Sequence, residues 1–251
     1  MKIVTWNVNG IRAREAQLRE FLDGERPGVV CLQEIKASRE QVPALLFDPV
    51  GYWSYWHCQS AYSGVALLVR RDAAPAPPRF AHPPFDHECR MVIAETGPLT
   101  FASIYVPNGG KDYAAKLRFL AALDAWTGEE QARGRQLVLC GDLNVTRSAM
   151  DVHPKERKEN AIGQRDDERE LLARLLGHGL VDLGRALHPD DEGLFTWWPP
   201  WRGLRQKNVG WRIDYVLVSA ALAPRAARCD SLRETGSSDH APLVVELSPL
   251  D

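Results

Sequence analysis

Near the C-terminus the sequence reads SSDHAPLVVEL, residues 237–247. Asp239 and His240 stand side by side at the mouth of an apolar run. Neighbouring side chains in a regular strand point to opposite faces. Both residues can serve one site only if the chain is still turning there, and that is what we expect. Other polar groups stand at the ends of similar runs. Asn7 closes IVTW, with Asn9 two residues on. Glu34 follows VVCLQ, and Tyr105 follows FASI. Asp142 follows LVLCG, with Asn144 two residues on, and Asp214 opens YVLVS. If the last two strands run antiparallel to the first four, all these groups meet at one sheet edge. Carboxylates with amide oxygens and no thiolate suit a hard cation, Mg²⁺ or Mn²⁺. An anionic substrate such as a phosphate would complete the site, with Asp239 on the metal side and His240 on the phosphate side.

A second stretch carries binding chemistry. FTWWPPWRGLRQKNVGWRIDY, residues 195–215, holds Trp197, Trp198, Trp201 and Trp211 among Arg202, Arg205, Lys207 and Arg212, and no acid interrupts residues 195–213. Aromatic faces stack on bases or wedge between them, while cations contact phosphates. The stretch reads as a nucleic-acid groove, with Trp198 as the residue best suited to a core. The formal net charge of −2 argues against a polyanion partner when taken alone. Binding depends on where charge sits, however, and this local run outweighs the sum.

Apolar runs rich in valine, isoleucine and aromatics must position these groups: KIVTW, GVVCLQ, GVALLVR, RMVIAE, LTFASIYV, QLVLCG, IDYVLVS and APLVVEL read as strands. Helical patterns fall at residues 12–23, stopped by Gly24, at 112–126, with Leu117, Leu120, Ala121 and Trp126 along it, and at 166–177, ending at Gly177. Three strand-like runs between residues 64 and 106 lack a helix between them. That pattern suggests mixed or paired sheets rather than a doubly wound parallel one. The proline-rich residues 73–84 read as a surface loop. The 251 residues, 45% hydrophobic and 25% charged, form a soluble globular composition. No run reaches the roughly 18 apolar residues a membrane helix needs. Five cysteines without a C-x-x-C, and no signal-peptide pattern, suggest a reducing cytoplasm.

TWNVNGIRA, CLQEIKA, SGVALLVR, YVPNGG, GDLNV, NVGWRIDYVLVS and SDHAPL, in this order from residue 5 to residue 243, resemble the exonuclease III type of AP endonucleases in the endonuclease/exonuclease/phosphatase superfamily. The resemblance implies one catalytic domain over residues 1–251. Its fold would be an α/β four-layer sandwich, two packed mixed sheets flanked by helices. It implies a monomer cleaving phosphodiesters in double-stranded DNA with abasic sites or blocked 3′ ends, with Mg²⁺. By motif position Glu34 resembles the principal metal ligand, with Asn9 and Asp239 nearby. Asp142 resembles the residue that orients or deprotonates water, supported by Asn144. His240 resembles the imidazole on the scissile phosphate, Asp214 its partner, and Tyr105 and Asn7 site-ordering contacts. Arg90, Asn108 and Lys111 fall where relatives touch the DNA backbone. Trp197, Trp211 and Ile213 match the walls of a pocket for an extruded abasic sugar.

Some relatives carry Asp where Asn9 stands and Arg where Lys111 stands. Residues 199–205, the wedge loop, and 153–167 also depart from the best-known members. Those departures motivate an alternative within the fold, a 3′-phosphatase/exonuclease with little abasic-site cleavage. A DNA-binding module with a degenerate site is disfavoured, because no expected catalytic position is empty. A lipid or inositol phosphodiesterase is disfavoured by WRGLRQKNVGW.

Overall fold

A computed structural model of the chain describes residues 1–43, 46 and 51–248. Twelve strands form two mixed six-stranded sheets among the described residues. The first holds β1 (Lys2–Asn7), β2 (Val29–Gln33), β3 (Tyr52–His57), β4 (Val65–Arg70), β11 (Ala226–Ser231) and β12 (Leu243–Leu247), in the order β11-β12-β1-β2-β4-β3. The second holds β5 (Arg79–Ala81), β6 (Met91–Thr96), β7 (Leu99–Tyr105), β8 (Gln136–Asp142), β9 (Leu180–Asp182) and β10 (Asp214–Ser219), in the order β5-β6-β7-β8-β10-β9.

The two halves share a design. β1 and β2 pair in parallel, joined through α1 (Glu15–Glu25), as do β7 and β8, joined through α2 (Tyr113–Ala132). β12 pairs antiparallel with β1, and β10 antiparallel with β8. The C-terminal ends of β1, β2, β7 and β8 therefore share an edge with the starts of β10 and β12, the arrangement needed to gather the polar strand ends.

Strand alternation explains the layers. Ile3, Val29, Cys31, Val65 and Leu67 point between the sheets, against Val92, Phe101, Val138, Cys140 and Val216 of the other sheet. The opposite faces pack on helices. Val4, Trp6, Val30 and Leu32 meet Leu18, Phe21 and Leu22 of α1. Ile104, Leu137, Leu139 and Leu217 meet Phe119, Leu120 and Leu123 of α2 and Leu172 and Leu175 of α3 (Asp166–Gly177). A short α4 (Leu183–Leu187) follows β9. All five cysteines are free and buried. Among the described residues, no helix is long and apolar enough to cross a membrane.

Several expectations shift. The first helix runs through Gly24 and stops at Arg26, which takes a left-handed conformation (φ 44) and returns its N–H to the Leu22 carbonyl. The second starts at the Asp112 cap, continues to Ala132, and leaves Ala121 exposed. The proline-rich stretch encloses the short edge strand β5. With β3, β9 and β11, this strand was not legible in the periodicity, because two of the four have three residues and β3 and β11 carry polar residues among the apolar ones.

Candidate active site

The expected edge carries a cleft of about 590 Å³. Asn9, Glu34, Tyr105, Asn108, Asp142, Asn144, Trp197, Trp211, Ile213, Asp239 and His240 line it, together with Lys36, Tyr62, Ser63, Gly110 and Ile162. The backbone turns sharply where the strands end. Asn9 (φ 44), Glu34 (φ 53), Lys36 (φ 50) and Asn144 (φ 53) all adopt the left-handed region that non-glycine residues rarely visit. Gly141, one residue before Asp142, has φ 147, and a Cβ there would stand 1.9 Å from the Ile104 carbonyl oxygen. No other residue fits that strand pairing.

Asn7 joins the halves. Its buried Nδ2 donates to Glu34 Oε1 at 3.0 Å and to Asp142 Oδ2 at 2.9 Å, while its Oδ1 accepts from the Asn9 amide at 3.0 Å. One amide from the first sheet thereby orients a carboxylate from each sheet. Asn144 completes the support of Asp142, with its backbone N–H on Oδ1 at 2.9 Å and Nδ2 on Oδ2 at 3.2 Å.

Asp239 and His240 precede β12 by several residues, so the chain is still turning at them, as expected. Asp239 Oδ1 accepts from Asn9 Nδ2 at 2.7 Å and Oδ2 from Trp197 Nε1 at 3.0 Å. His240 Nδ1 lies 2.9 Å from Asp214 Oδ2, and Nε2 lies 3.8 Å from Asp142 Oδ2. Asp214 is held in turn by its backbone N–H on Thr196 Oγ1 at 3.1 Å.

Burial alone would lower the His240 pKa, but the carboxylates of Asp214 and Asp142 outweigh it and carry the imidazole up to about 10. Burial, with Asp214 and Glu34 close by, pushes the Asp142 carboxyl up against the pull of His240. Burial would also raise Glu34, yet His240, Asn7 and Lys36 hold it below its ordinary value, so it is ionised. The Tyr105 phenol is raised far out of the accessible range by burial, Glu34 and Asp142, and stays a neutral donor.

The ligand atoms of Glu34, Asp142 and His240 lie within 4.8 Å of one another. A protonated imidazole engaged with Asp214 offers an N–H rather than a lone pair, which leaves an oxygen donor set. Lys36 Nζ shows where a cation fits, 2.5 Å from Glu34 Oε2 and 2.6 Å from Asn9 Oδ1. With Asn9 Nδ2 fixed by Asp239, two oxygens converge on one positive charge. The residues present fit a hard divalent cation.

The binding residues divide. Trp197 and Trp211 exchange backbone hydrogen bonds of 3.0 and 2.8 Å, and their rings meet edge to face at 5.6 Å. They form the apolar wall of the cleft with Ile213 and the exposed Ile162. Asn108 lies at the cleft, and Lys111 is exposed on the adjoining loop. Trp201 is 58% exposed at the loop tip beside Arg202, with the Lys207 ammonium 2.9 Å from the Arg202 carbonyl. Trp198 is buried, as a core residue should be.

Three arginines depart from expectation. Arg90 is 3% exposed and sits between the Tyr62 and Tyr105 rings, 5.3 and 4.9 Å from their centroids, so it braces the cleft from behind. Arg205 donates to the carbonyls of Arg233, Thr235 and Ser238. Arg212 is buried on Asp151 and Asp182. In each case unsatisfied carbonyls, carboxylates or ring faces recruit the guanidinium before solvent does. Lys36, Tyr62, Ile162 and Thr196 also contribute to the site and are not singled out by the sequence pattern. Only the first had a signal, its place two residues after Glu34 in the same motif.

The model of the Endonuclease/Exonuclease/phosphatase family matches residues 4–240. The chain belongs to this family. It is 34% identical to an exodeoxyribonuclease of Bacillus subtilis, with 98% of each chain covered. It is also 34% identical to recombination repair protein 1 of Drosophila melanogaster, covering 98% of this chain but 37% of that protein. Among solved structures, an AP endonuclease from Archaeoglobus fulgidus superposes with TM-score 0.89 at 27% identity, covering 99% of this chain and 100% of that one. The 3′ phosphatase NExo from Neisseria, bound to product DNA hairpin, superposes with TM-score 0.90 at 31% identity, covering 99% of each chain.

Proposed function

We propose that the protein is a DNA-repair nuclease that hydrolyses the phosphodiester 5′ to abasic sites and clears blocked 3′ ends of double-stranded DNA, acting as a monomer in the cytoplasm. One observation carries this reading most: the Trp197–Trp211 wall opens onto the same cleft as Glu34, Asp142 and His240. A nucleotide without its base is cheap to extrude, and a narrow aromatic wall accepts a bare sugar while excluding an intact nucleotide.

Asp142 is held on both carboxylate oxygens by Asn7 and Asn144, and its raised pKa suits a group that takes a proton from attacking water near neutral pH. His240, kept cationic by Asp214, donates from Nε2 to a non-bridging phosphate oxygen as charge builds. Tyr105 adds a neutral hydroxyl donor beside Glu34. Glu34 and Asn9 would hold Mg²⁺, with Asp239 fixing the Asn9 amide. When bound, the ion supplies positive charge that neutralises the phosphate and eases departure of the leaving oxygen. The Lys36 ammonium lies on the same two oxygens and would have to give way to the ion.

The likeness to a 3′ phosphatase favours a second reading, in which removal of 3′ phosphates dominates. Two duplexes separate them, one with a single abasic analogue and one ending in a 3′-phosphate, each tested with and without Mg²⁺. Cleavage 5′ to the analogue, dependent on the ion, supports the first reading. Release of phosphate alone leaves the second, and turnover of neither overturns both.

A further inference from the structure

Behind the cleft lies a fully buried ion pair that the chemistry above does not use. Lys116, from the first turn of α2, meets Glu168, from the first turn of α3, and neither side chain has solvent exposure. Burying two charges is costly before their attraction is counted, and an apolar pair of similar size often serves stability as well. The two helices already pack through Phe119, Leu120, Leu123, Leu172 and Leu175.

What the pair does beyond packing is visible in its other hydrogen bonds. Lys116 Nζ donates to the Asn144 carbonyl at 2.7 Å. Glu168 Oε1 accepts from the Gly163 backbone N–H, and from that of Arg165 at 3.1 Å. Asn144 carries the amide groups that orient Asp142. Gly163, with φ 90, lies so close to Trp211 that a Cβ there would stand 2.8 Å from Cζ3. The two loops are also stitched by Thr146, whose N–H and Oγ1 each donate to the Gly163 carbonyl at 2.8 Å. The ion pair thus grips the loop behind the proposed water-activating carboxylate with one end and the loop backing the aromatic wall with the other.

We propose that Lys116 and Glu168 are positioning residues that set the Trp211 wall relative to Asp142, and so tune the enzyme for a sugar lodged in the pocket over a terminus laid at the metal-side groups. This rests on the reading of the cleft as an abasic-site pocket. Residues remote from chemistry matter when they set its geometry, since a misplacement of about 1 Å can cost about 10²-fold in rate.

The test uses the full chain with both charges removed at nearly constant volume, Lys116→Met with Glu168→Gln, and with Glu168→Gln alone. Melting temperature, hydrogen exchange of the 142–147 and 161–165 segments, and kcat and KM on the abasic and 3′-phosphate duplexes are measured on each. The double variant is expected to stay folded, with the helices as protected as before and faster exchange in the 142–147 segment. There the Asn144 carbonyl loses its donor, while the amide oxygen introduced by Glu168→Gln can still accept from the Gly163 and Arg165 N–H groups. Its kcat/KM on the abasic duplex should fall about tenfold or more while 3′-phosphate removal changes by less than about threefold. Glu168→Gln alone strands the Lys116 charge, so it should lose more stability than the double variant. Unchanged exchange in the 142–147 segment, or parallel loss of both activities, overturns the positioning role. If the unmodified protein does not cut at abasic sites, it is the functional reading that fails. The exchange measurement then still decides whether the pair holds the two loops.

Discussion

His240 Nδ1 stands 2.9 Å from Asp214 Oδ2 in a buried setting, with Asp142 3.8 Å away on the other ring nitrogen. The imidazole is carried up to about 10 in the folded protein. Because the folded value lies above the unfolded value of about 6.5, the stabilisation is fully present below that pH and is lost as pH rises through about 10. The melting temperature should therefore decline on the alkaline side. Asp214→Asn removes the main partner, so the alkaline limb of the kcat/KM profile should move to lower pH. An unmoved limb would show that His240 does not set it. Because His240 and Asp142 interact, the limb reports the pair rather than one residue.

Glu34→Ala and Asp142→Asn should each lower cleavage by at least about 10²-fold with the fold intact, since both are oriented by one Asn7 amide toward a single charge-stabilising centre. Steady-state rates with circular dichroism check this. Near-normal turnover by either variant removes that residue from the proposed chemistry.

Lys36 Nζ occupies the space between Glu34 Oε2 and Asn9 Oδ1, so it competes with any divalent cation there. Lys36→Ala should bind Mn²⁺ more tightly by calorimetry, with DNA absent. Equal or weaker binding would place the ion elsewhere in the cleft.

Trp211 should discriminate between substrates. Loss of one stacking aromatic costs about 1–3 kcal/mol, so Trp211→Ala should reduce abasic-site cleavage about tenfold or more relative to 3′-phosphate removal. Equal loss of both activities with a large fall in melting temperature would mark Trp211 as a core residue instead.

DNA affinity should fall steeply with salt despite a net charge of −2, because local phosphate contacts release counterions. The exposed Arg202→Ala should flatten a plot of log affinity against log salt. Arg205→Ala should chiefly lower the melting temperature, since its guanidinium ties the loop to three carbonyls of residues 233–238. A slope near zero for the unmodified protein would argue against phosphate contacts altogether.

The polar groups at the mouths of apolar runs were legible from local pattern alone. A β-strand must stop being apolar where it meets solvent, and Glu34, Asp142 and the Asp239–His240 pair stand at such stops. That they meet at one edge depends on the antiparallel pairing of β10 and β12, which only the fold supplies. Central strands such as β1, β2, β7 and β8 announce themselves because both faces are buried. Edge strands such as β5 and β9 do not, because partners far along the chain decide whether so short a segment pairs at all. The same divide separates the charged residues. A sequence records that Arg90, Arg205 and Arg212 are cationic, but not which carbonyls, carboxylates or rings surround them once distant segments converge. Lys36 bridging Glu34 to Asn9, and Lys116 meeting Glu168 behind the cleft, are likewise products of packing between separate elements. Residue type and local spacing specified the chemistry available to this protein, whereas long-range packing decided which of its charges face the cleft and which are consumed in holding it open.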